Sequence, residues 1–230
     1  MAADAWRKSI AEFVGAFALV FVGAGAIIAT RGADLLLIAL AHGLTIGVMV
    51  SVFAHVSGGH FNPAVTFGAL AGRQIPLRLA VVYWLSQLLG GLSGALMLLG
   101  VLPESVWRPY QLGTPALGTV AGLGWDVSVG GAILVEAVLT FFLAIAVYGT
   151  GIDPKGSFNA VGGLAIGLTV ALDVMMGGPL TGAAMNPARW FGPAVVAGFL
   201  DNWYVYWVGP LLGGLVAGLL YANVFMGRRG

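Results

Sequence analysis

The segment at 57–65 reads Ser-Gly-Gly-His-Phe-Asn-Pro-Ala-Val, and its Asn-Pro-Ala core occurs a second time at 186–188. Asparagine is a preferred helix N-cap, and proline suits the first helical turn because its missing N–H would have no partner there. Each triplet therefore predicts the start of a helix after a non-helical turn. The positions of these two helix starts, at 62 and 186, are the first constraint on the fold.

The two triplets belong to a duplicated sequence. Their asparagines are 124 residues apart, and the same offset separates Glu12 from Glu136. It also separates the pentapeptides Ala-His-Gly-Leu-Thr and Ala-Ile-Gly-Leu-Thr. Three unrelated landmarks with one offset indicate a tandem duplication. We predict a single domain over 1–230, built from repeats at about 1–110 and 125–230.

The composition is typical of a membrane protein. Of the 230 residues, 59% are apolar and 8% are charged, whereas soluble domains carry about 25% charged residues. The mean hydropathy is +0.96, so we predict an integral membrane protein, in which the 37 glycines allow close helix packing. The absence of cysteine excludes disulfides and thiolate metal sites. A net charge of +1 without a basic cluster gives no indication of a nucleic-acid partner.

Six apolar segments are long enough to cross a membrane, which takes about 20 residues. We predict these spans near 10–30, 35–56, 79–101, 129–150, 159–178 and 203–226. Two shorter segments begin at the triplets, 62–72 and 186–197. At ~1.5 Å per residue each would reach only about half of a ~30 Å hydrocarbon core. The predicted fold class is an all-α membrane protein with six transmembrane helices and two half-helices.

The basic residues predict the orientation. Most of them fall on one side of a six-span arrangement: Arg7, Lys8, Arg73, Arg78, Lys155, Arg228 and Arg229. The positive-inside rule places that side, with both termini, in the cytoplasm, and we expect a multi-pass protein of a cell membrane, plasma or inner. Because each repeat has three spans, the second repeat inserts upside down relative to the first. Inverted repeats tend to place the working site at the midplane.

The two half-helices predict a polar site at that midplane. If they enter the membrane from opposite faces, their N-termini meet, and each carries about half a positive elementary charge. The asparagines would present amide donors there, so the site would favour a polar, uncharged solute and repel cations, hydronium included. Non-helical backbone is tolerated at this depth only where it is buried or lines a wet cavity. The expected pore centre consists of Asn62, Pro63, Ala64, Asn186, Pro187 and Ala188.

These motifs resemble those of the aquaporins, the major intrinsic protein family. The similarity covers nearly the whole chain through Ser-Gly-Gly-His-Phe-Asn-Pro-Ala-Val, Gly-Ala-Ala-Met-Asn-Pro-Ala-Arg and Tyr-Trp-Val-Gly-Pro. The resemblance implies a right-handed bundle of six tilted helices with two half-helices, one pore per subunit and a homotetramer in lipid. It implies no cofactor, and the permeating partners would be water and small neutral solutes.

The resemblance also implies an outer selectivity filter. By their spacing from the two asparagines, its four positions are His42, Val174, Ala183 and Arg189. Water-specific members have Phe and His at the first two positions, and glycerol facilitators have Trp and Phe. Histidine with a small aliphatic residue and alanine instead resembles the plant tonoplast intrinsic proteins, some of which pass ammonia, urea or hydrogen peroxide. We therefore expect an aperture that is wider and less polar beside Val174.

Further site residues follow from the loops before the triplets. Their backbone carbonyls would line the pore as acceptors, from Gly59, His60, Phe61, Gly182, Ala183 and Ala184. Val52, Leu168 and Val174 would supply apolar wall. Glu12 and Glu136 lie inside predicted spans, where a carboxylate is commonly a proton relay. Their symmetric placement favours a structural role as anchors for the two loops.

We interpret the chain as a passive water channel that excludes protons and ions. The alternative within this class is a broader neutral-solute channel for ammonia, hydrogen peroxide, urea or glycerol, with water secondary. A secondary transporter would need an acid in the cavity and a coupling ion, and the other membrane acids, Asp173 and Asp201, lie near an outer end. The small residues expected in the pore disfavour a membrane scaffold protein whose pore is closed. No motif indicates an enzyme or a metal site. The roles of Trp190 and of the 102–126 loop do not follow from the sequence.

Overall fold

The computed structural model describes residues 2–120, 125–156 and 161–226. Six helices in these ranges are long and apolar enough to cross a membrane. With two short helices, α3 and α7, they are numbered in chain order: α1 (Asp4–Ala29), α2 (Leu35–Ser57), α3 (Pro63–Ala71), α4 (Leu77–Val101), α5 (Val129–Ile152), α6 (Gly162–Thr181), α7 (Pro187–Ala197) and α8 (Val205–Phe225). The predicted fold class is confirmed.

The helix boundaries agree with the predicted spans to within a few residues, and the largest difference is at α1. Its helical backbone already begins at Ala2, eight residues before the predicted start near position 10. The extra turn is polar, and Lys8 pairs with Asp4 at 3.6 Å. A span predicted from its run of apolar residues ends at such a polar turn, although the helical backbone continues through it. A π-helical segment, Leu19–Ala24, lies inside α1.

Each half-helix begins at its asparagine, as predicted. Asn62 has an extended backbone, with φ −151° and ψ 120°, and its Oδ1 accepts a hydrogen bond from Ala64 N at 2.8 Å. Asn186 has nearly the same conformation and accepts from Ala188 N at 2.9 Å and from Arg189 N at 3.3 Å. The side chains therefore satisfy N–H groups that a helix start leaves without a backbone partner.

Glycines bring each half-helix close to a helix of the other repeat. A Cβ atom on Gly68 of α3 would lie 2.5 Å from the carbonyl oxygen of Gly214 in α8. A Cβ atom on Gly192 of α7 would lie 2.2 Å from the carbonyl oxygen of Gly91 in α4. Real Cβ atoms do not approach backbone oxygens this closely, so only glycine allows these contacts. The half-helices are thereby packed into the bundle rather than left at its surface.

The long connection between α4 and α5 is folded. It contains a short helix, Glu104–Trp107, a 3-10 segment, Arg108–Gly113, and two antiparallel strands, β1 (Thr119–Val120) and β2 (Trp125–Asp126). Gly118 N donates to Leu180 O at 2.9 Å, near the end of α6. This contact fixes the connection over the end of the bundle at which α6 finishes.

Candidate functional site

A narrow cavity of about 30 Å³ lies where the half-helices meet, which is enough room to hold water. Its polar lining consists of His42, His60, Asn62, Asn186 and Arg189. Its apolar lining consists of Leu19, Ile46, Val65, Leu143, Val147, Ile166, Val170 and Met185. Three small residues complete it: Gly59, Ala183 and Ala184. The cavity is therefore mostly apolar, with a few polar groups in fixed positions.

The two asparagines are joined to each other's loops. Asn62 Nδ2 donates to Met185 O at 2.8 Å, and Asn186 Nδ2 donates to Phe61 O at 2.9 Å. Each amide group has two N–H bonds, so one of them is used in this cross-connection. Both asparagines line the cavity. The second N–H of each amide is left for a molecule inside it.

The two loops before the triplets adopt matching left-handed conformations. Phe61 and Met185, at equivalent positions, have φ values of 50° and 52°. Gly58 and Gly182 have φ values of 94° and 79°. Left-handed conformations in residues other than glycine cost free energy and persist only where the surroundings hold them. Two buried carboxylates hold these loops.

The first loop is bound to Glu12, which is fully buried. Its Oε1 accepts from Ser57 Oγ at 2.6 Å and from His60 N at 2.9 Å. Its Oε2 accepts from Phe61 N at 2.6 Å and from Gln87 Nε2 at 2.7 Å. Four donors therefore converge on one carboxylate.

Glu136 holds the second loop in the same way. Its Oε1 accepts from Thr181 Oγ1 at 2.7 Å and from Ala184 N at 2.9 Å, and its Oε2 accepts from Met185 N at 2.7 Å. These donors occupy positions equivalent to three of the four donors to Glu12. The donor that differs is Gln87, which aligns with Pro210 when the Tyr-Trp pairs of α4 and α8 are superposed.

Arg189 lies at the end of the cavity nearer the α4–α5 connection, and it is 1% exposed. Its Nη1 donates to the backbone carbonyl of Gly113 at 2.8 Å. Its Nε and Nη2 are buried and find no partner among the described residues. A buried guanidinium with free N–H groups beside a cavity can donate hydrogen bonds to a molecule that passes it.

His42 also lines this part of the cavity. Its Nδ1 lies 2.8 Å from the carbonyl oxygen of Ile38, one turn earlier in α2. A carbonyl oxygen can only accept, so Nδ1 carries the hydrogen and, in a neutral ring, Nε2 is an acceptor. His42 and Arg189 thus place an acceptor and several donors at one end of the cavity.

The sequence profile of the major intrinsic protein family matches residues 1–221. The chain belongs to this family. Aquaporin TIP1-2 of Musa acuminata is 43% identical over 236 residues, which cover 98% of this chain and 89% of that relative. Aquaporin TIP2-1 of Arabidopsis thaliana is 44% identical over 231 residues, which cover 96% and 88%.

A solved structure supports the same architecture for this major intrinsic protein. The X-ray structure of the aquaglyceroporin from Plasmodium falciparum superposes with a TM-score of 0.82 at 25% sequence identity. The match covers 96% of this chain and 97% of that one. With the six apolar helices, this shows an integral, multi-pass membrane protein with an aquaporin-like fold.

Not every residue expected in the pore of this major intrinsic protein lines the cavity. Ala183 does, whereas Val174 is buried in an apolar cluster that also contains Ala183. The Phe61 ring is fully buried and packs against Phe53, with ring centroids 6.5 Å apart. Gly182 lies outside the lining and would carry a Cβ atom 2.8 Å from Pro115 Cα. The contribution of Phe61 to the site is its carbonyl, which accepts from Asn186.

The expectation that Val52 and Leu168 form pore wall is wrong. Their side chains are 47% and 46% exposed and face outward from the bundle. The wall on α2 is Ile46, and on α6 it is Ile166 and Val170. Because α2 and α6 are apolar on every side, their sequences do not distinguish the pore face from the lipid face.

One site residue that the sequence analysis missed is Gly113, whose carbonyl holds Arg189. The contact uses backbone only, so no side chain signals it. Gly113 has a φ of 73°, and a Cβ atom there would lie 2.8 Å from Ala24 Cα. The signal in the sequence is a glycine in the loop that contacts Arg189, because its close approach to Ala24 leaves no room for a side chain.

The structure gives Trp190 a packing role. Its ring stacks on Tyr206, with centroids 5.6 Å apart and planes 12° apart. Trp190 is 2% exposed and belongs to an apolar cluster with Val127, Ala184 and Val205. Its Nε1 has no hydrogen-bond partner in the part of the chain that the structure covers. Trp190 therefore joins α7 to α8 by apolar contact.

Within 2–120, 125–156 and 161–226, no group of three or more His, Cys, Asp or Glu side chains could hold a metal ion.

Proposed function

We propose that this major intrinsic protein is a passive water channel that excludes protons and ions. The observation that carries the proposal is the pair of cross-connected asparagines that line a narrow cavity with room for water. Each asparagine caps a half-helix whose positive end points at the cavity. Aquaporins from Musa acuminata and Arabidopsis thaliana are more than 40% identical to this chain over nearly its whole length. The function is transport and not catalysis.

The asparagines orient the water molecule at the pore centre. Asn62 and Asn186 each keep one amide N–H free, because the other N–H is bound to a loop carbonyl. A water oxygen between them accepts from both, so its own hydrogens point away along the row of water molecules. The central water then cannot receive a proton from one neighbour and pass one to the other. The two helix N-termini add a positive potential that opposes hydronium.

The glutamates act as loop anchors in this proposal. The oxygens of Glu12 accept four hydrogen bonds and those of Glu136 accept three. Carboxylates with their acceptor sites occupied by loop donors hold the backbone shape and are poorly suited to relay protons. The left-handed turns at Phe61 and Met185 then aim the loop carbonyls at the asparagines.

His42, Val174, Ala183 and Arg189 form the proposed outer filter. Arg189 supplies free donors and a fixed positive charge, and His42 supplies an acceptor. Ala183 lines the cavity, and Val174 belongs to the same buried apolar cluster. Both side chains are small, so the proposed filter is relaxed and admits small neutral solutes beside water. Gly59 and His60 of the first loop and Ala184 of the second loop also line the path.

We also propose a cell-membrane location with both termini in the cytoplasm. One end of the bundle brings together Arg73, Lys155 and the last turn of α8 around an open cavity of about 870 Å³, and the positive-inside rule favours the cytoplasm for that end. A green fluorescent protein fused to the C-terminus should fluoresce, and alkaline phosphatase fused there should be inactive. The reverse pattern would contradict this orientation.

A homotetramer is proposed from the family resemblance, with the two inverted repeats forming one domain in each subunit. Large apolar side chains on α2 and α6 are exposed, including Leu44, Val48 and Leu172. These faces must pack against lipid or another subunit. Light scattering on the purified protein in mild detergent should give the mass of four chains, and a monomer would contradict the tetramer.

Stopped-flow light scattering on proteoliposomes tests the filter. Uptake of ammonia and urea should exceed that of empty liposomes, and Arg189→Val should raise both further because it removes the buried charge and its donors. Arg108→Val is the matched control, since Arg108 is exposed and pairs with Glu104. Ammonia and urea uptake at background would exclude the relaxed filter. Solute uptake with water flow at background would favour the broader neutral-solute channel instead.

A further inference from the structure

The two repeats differ in the layer of side chains behind the pore wall. At equivalent positions the first repeat has His60 and Thr66 where the second has Ala184 and Trp190. The first repeat therefore has a polar layer in a place where the second has an apolar one. This difference breaks the symmetry of an otherwise matched pair of loops.

The polar layer is a chain of hydrogen bonds that begins at Glu12. Gln87 Nε2 donates to Glu12 Oε2 at 2.7 Å and to Thr66 Oγ1 at 2.9 Å. Thr66 Oγ1 in turn lies 3.0 Å from His60 Nδ1. Glu12, Thr66 and Gln87 are fully buried. Water from the membrane surfaces therefore does not compete for these bonds.

The direction of each bond follows from donor and acceptor chemistry. The carboxylate of Glu12 is an acceptor, so the Gln87 amide must present its NH₂ group there, and both of its N–H bonds are used. Thr66 Oγ1 accepts one of them. In the described ranges His60 Nδ1 is the one other partner of this hydroxyl, so a buried Thr66 hydrogen without it would be unsatisfied. Thr66 therefore donates to His60 Nδ1.

The remaining nitrogen of His60 then carries the hydrogen. With Nδ1 as acceptor, the neutral ring has its hydrogen on Nε2. The ring stands edge-on to Tyr83, with centroids 5.3 Å apart and planes 89° apart. Tyr83 is itself fixed, because its hydroxyl donates to Ser57 O at 2.5 Å. Two contacts therefore set the tautomer and the ring plane of His60, which is one of the residues that line the cavity.

We propose that Gln87 and Thr66 are positioning residues that hold His60 as an Nε2–H donor towards the permeating molecule. His42, at the Arg189 end, has the opposite tautomer, because its Nδ1 donates to Ile38 O. One histidine thus offers a donor and the other an acceptor along the same path. The inference rests on the proposed pore function, since it assigns His60 a permeant to contact.

Nitrogen-15 NMR of histidine-labelled protein in lipid bilayers tests the tautomers without measuring transport. The chain has three histidines, and His55→Gln and His60→Ala variants assign the signals. In the unmodified protein His60 should show a hydrogen on Nε2, and His42 should show one on Nδ1 as an internal reference. A hydrogen on Nδ1 of His60 would overturn the proposal, whatever the transport activity.

Variants of Thr66 test the positioning role. Thr66→Val removes the hydroxyl and should give a mixture of His60 tautomers, whereas Thr66→Ser should restore the single tautomer. Gln87→Leu should also give a mixture, because it removes the hydrogen bond that holds the Thr66 hydroxyl in position beside His60. Thr140→Val is the control, since it removes another buried hydroxyl, one that donates to Glu136 O. An unchanged His60 spectrum in both Thr66→Val and Gln87→Leu would overturn the proposal.

The same variants have a transport readout. Water permeability per subunit should fall about two- to ten-fold in Thr66→Val, the change expected when one neutral hydrogen bond is lost. Thr66→Ser should recover most of it. If Thr66→Val shows mixed His60 tautomers but the same water permeability as the unmodified protein, the tautomer of His60 does not affect transport. That result would overturn the proposed role of His60 in permeation. Absent water flow with the expected tautomers would instead refute the channel function.

Discussion

Asn62 and Asn186 each donate a side-chain hydrogen bond to the carbonyl that immediately precedes the other asparagine, at 2.8 Å to Met185 O and 2.9 Å to Phe61 O. Each asparagine also caps its own half-helix. One side chain therefore starts a helix and fastens the opposite loop. The centre of the site is held by residues of both repeats and cannot form from one repeat alone.

Replacing either asparagine with alanine should lower the thermal stability of the protein and its water permeability. Asn186→Ala loses caps to two backbone N–H groups, and Asn62→Ala loses one. Each N-cap is worth about 0.5–2 kcal/mol, so we expect a lower thermal midpoint for both variants and a larger decrease for Asn186→Ala. Differential scanning fluorimetry of the detergent-solubilised protein measures this. Asn223→Ala, on an exposed helix end, is the control, and an equal decrease there would contradict the capping role.

The two glutamates should differ in their sensitivity to amide substitution. Glu12→Gln places an NH₂ group among four donors, and Glu136→Gln places one among three. A buried donor left without a partner costs about 1–3 kcal/mol, so both variants should unfold at lower temperature, Glu12→Gln more so. Thermal unfolding followed by size-exclusion chromatography measures the order. Glu104→Gln, in an exposed pair with Arg108, should change little. A stable Glu12→Gln variant would show that the loop needs no anchor.

The thermal stability of the protein should depend on the volume of the Trp190 side chain and not on its N–H group. Trp190→Phe keeps an aromatic ring against Tyr206, and it removes an Nε1 group that has no partner among the described residues. Trp190→Ser leaves a cavity, and large-to-small changes of this kind cost about 3–5 kcal/mol. We expect near-normal thermal stability for the first variant and a clear loss for the second. Trp203→Ser, at a 54% exposed position, is the control. Similar losses for both Trp190 variants would indicate that the N–H matters.

Close packing of α2 and α6 should depend on Gly167. A Cβ atom there would lie 2.4 Å from the Gly43 carbonyl oxygen, so Gly167→Ala must separate the helices. Overpacking of this kind typically costs about 1–3 kcal/mol. Gly100→Ala is the matched control in α4, because a Cβ atom there meets nothing within 4 Å and alanine favours a helix. Thermal midpoints should therefore move in opposite directions, and a decrease of equal size in both would contradict the account.

The sequence predicts the bundle well, for identifiable reasons. Apolar runs set the six spans, and the chemistry of asparagine followed by proline sets the half-helix starts at 62 and 186. The equal offset of Glu12 and Glu136 indicates a paired role, and their matched contacts with the two loops agree with it. Each of these features is carried by side chains at a fixed spacing.

The contacts that the sequence does not predict are made by groups that have no characteristic sequence pattern. Arg189 is held by the carbonyl of Gly113, a backbone atom that every residue possesses. Val52 and Leu168 face outward on helices that are apolar all round, so periodicity could not orient them. Trp190 fills space between α7 and α8 that exists only once those helices are packed.

A water channel of this kind lets water pass and excludes protons, and both flows can be measured in the same vesicles. Proteoliposomes loaded with a pH-sensitive dye are mixed with a hyperosmotic buffer at a different pH, and shrinkage and internal pH are recorded together. We predict shrinkage much faster than that of empty liposomes, with proton entry equal to that of empty liposomes. Shrinkage at the rate of empty liposomes, or proton entry that rises with the amount of protein, would contradict this prediction.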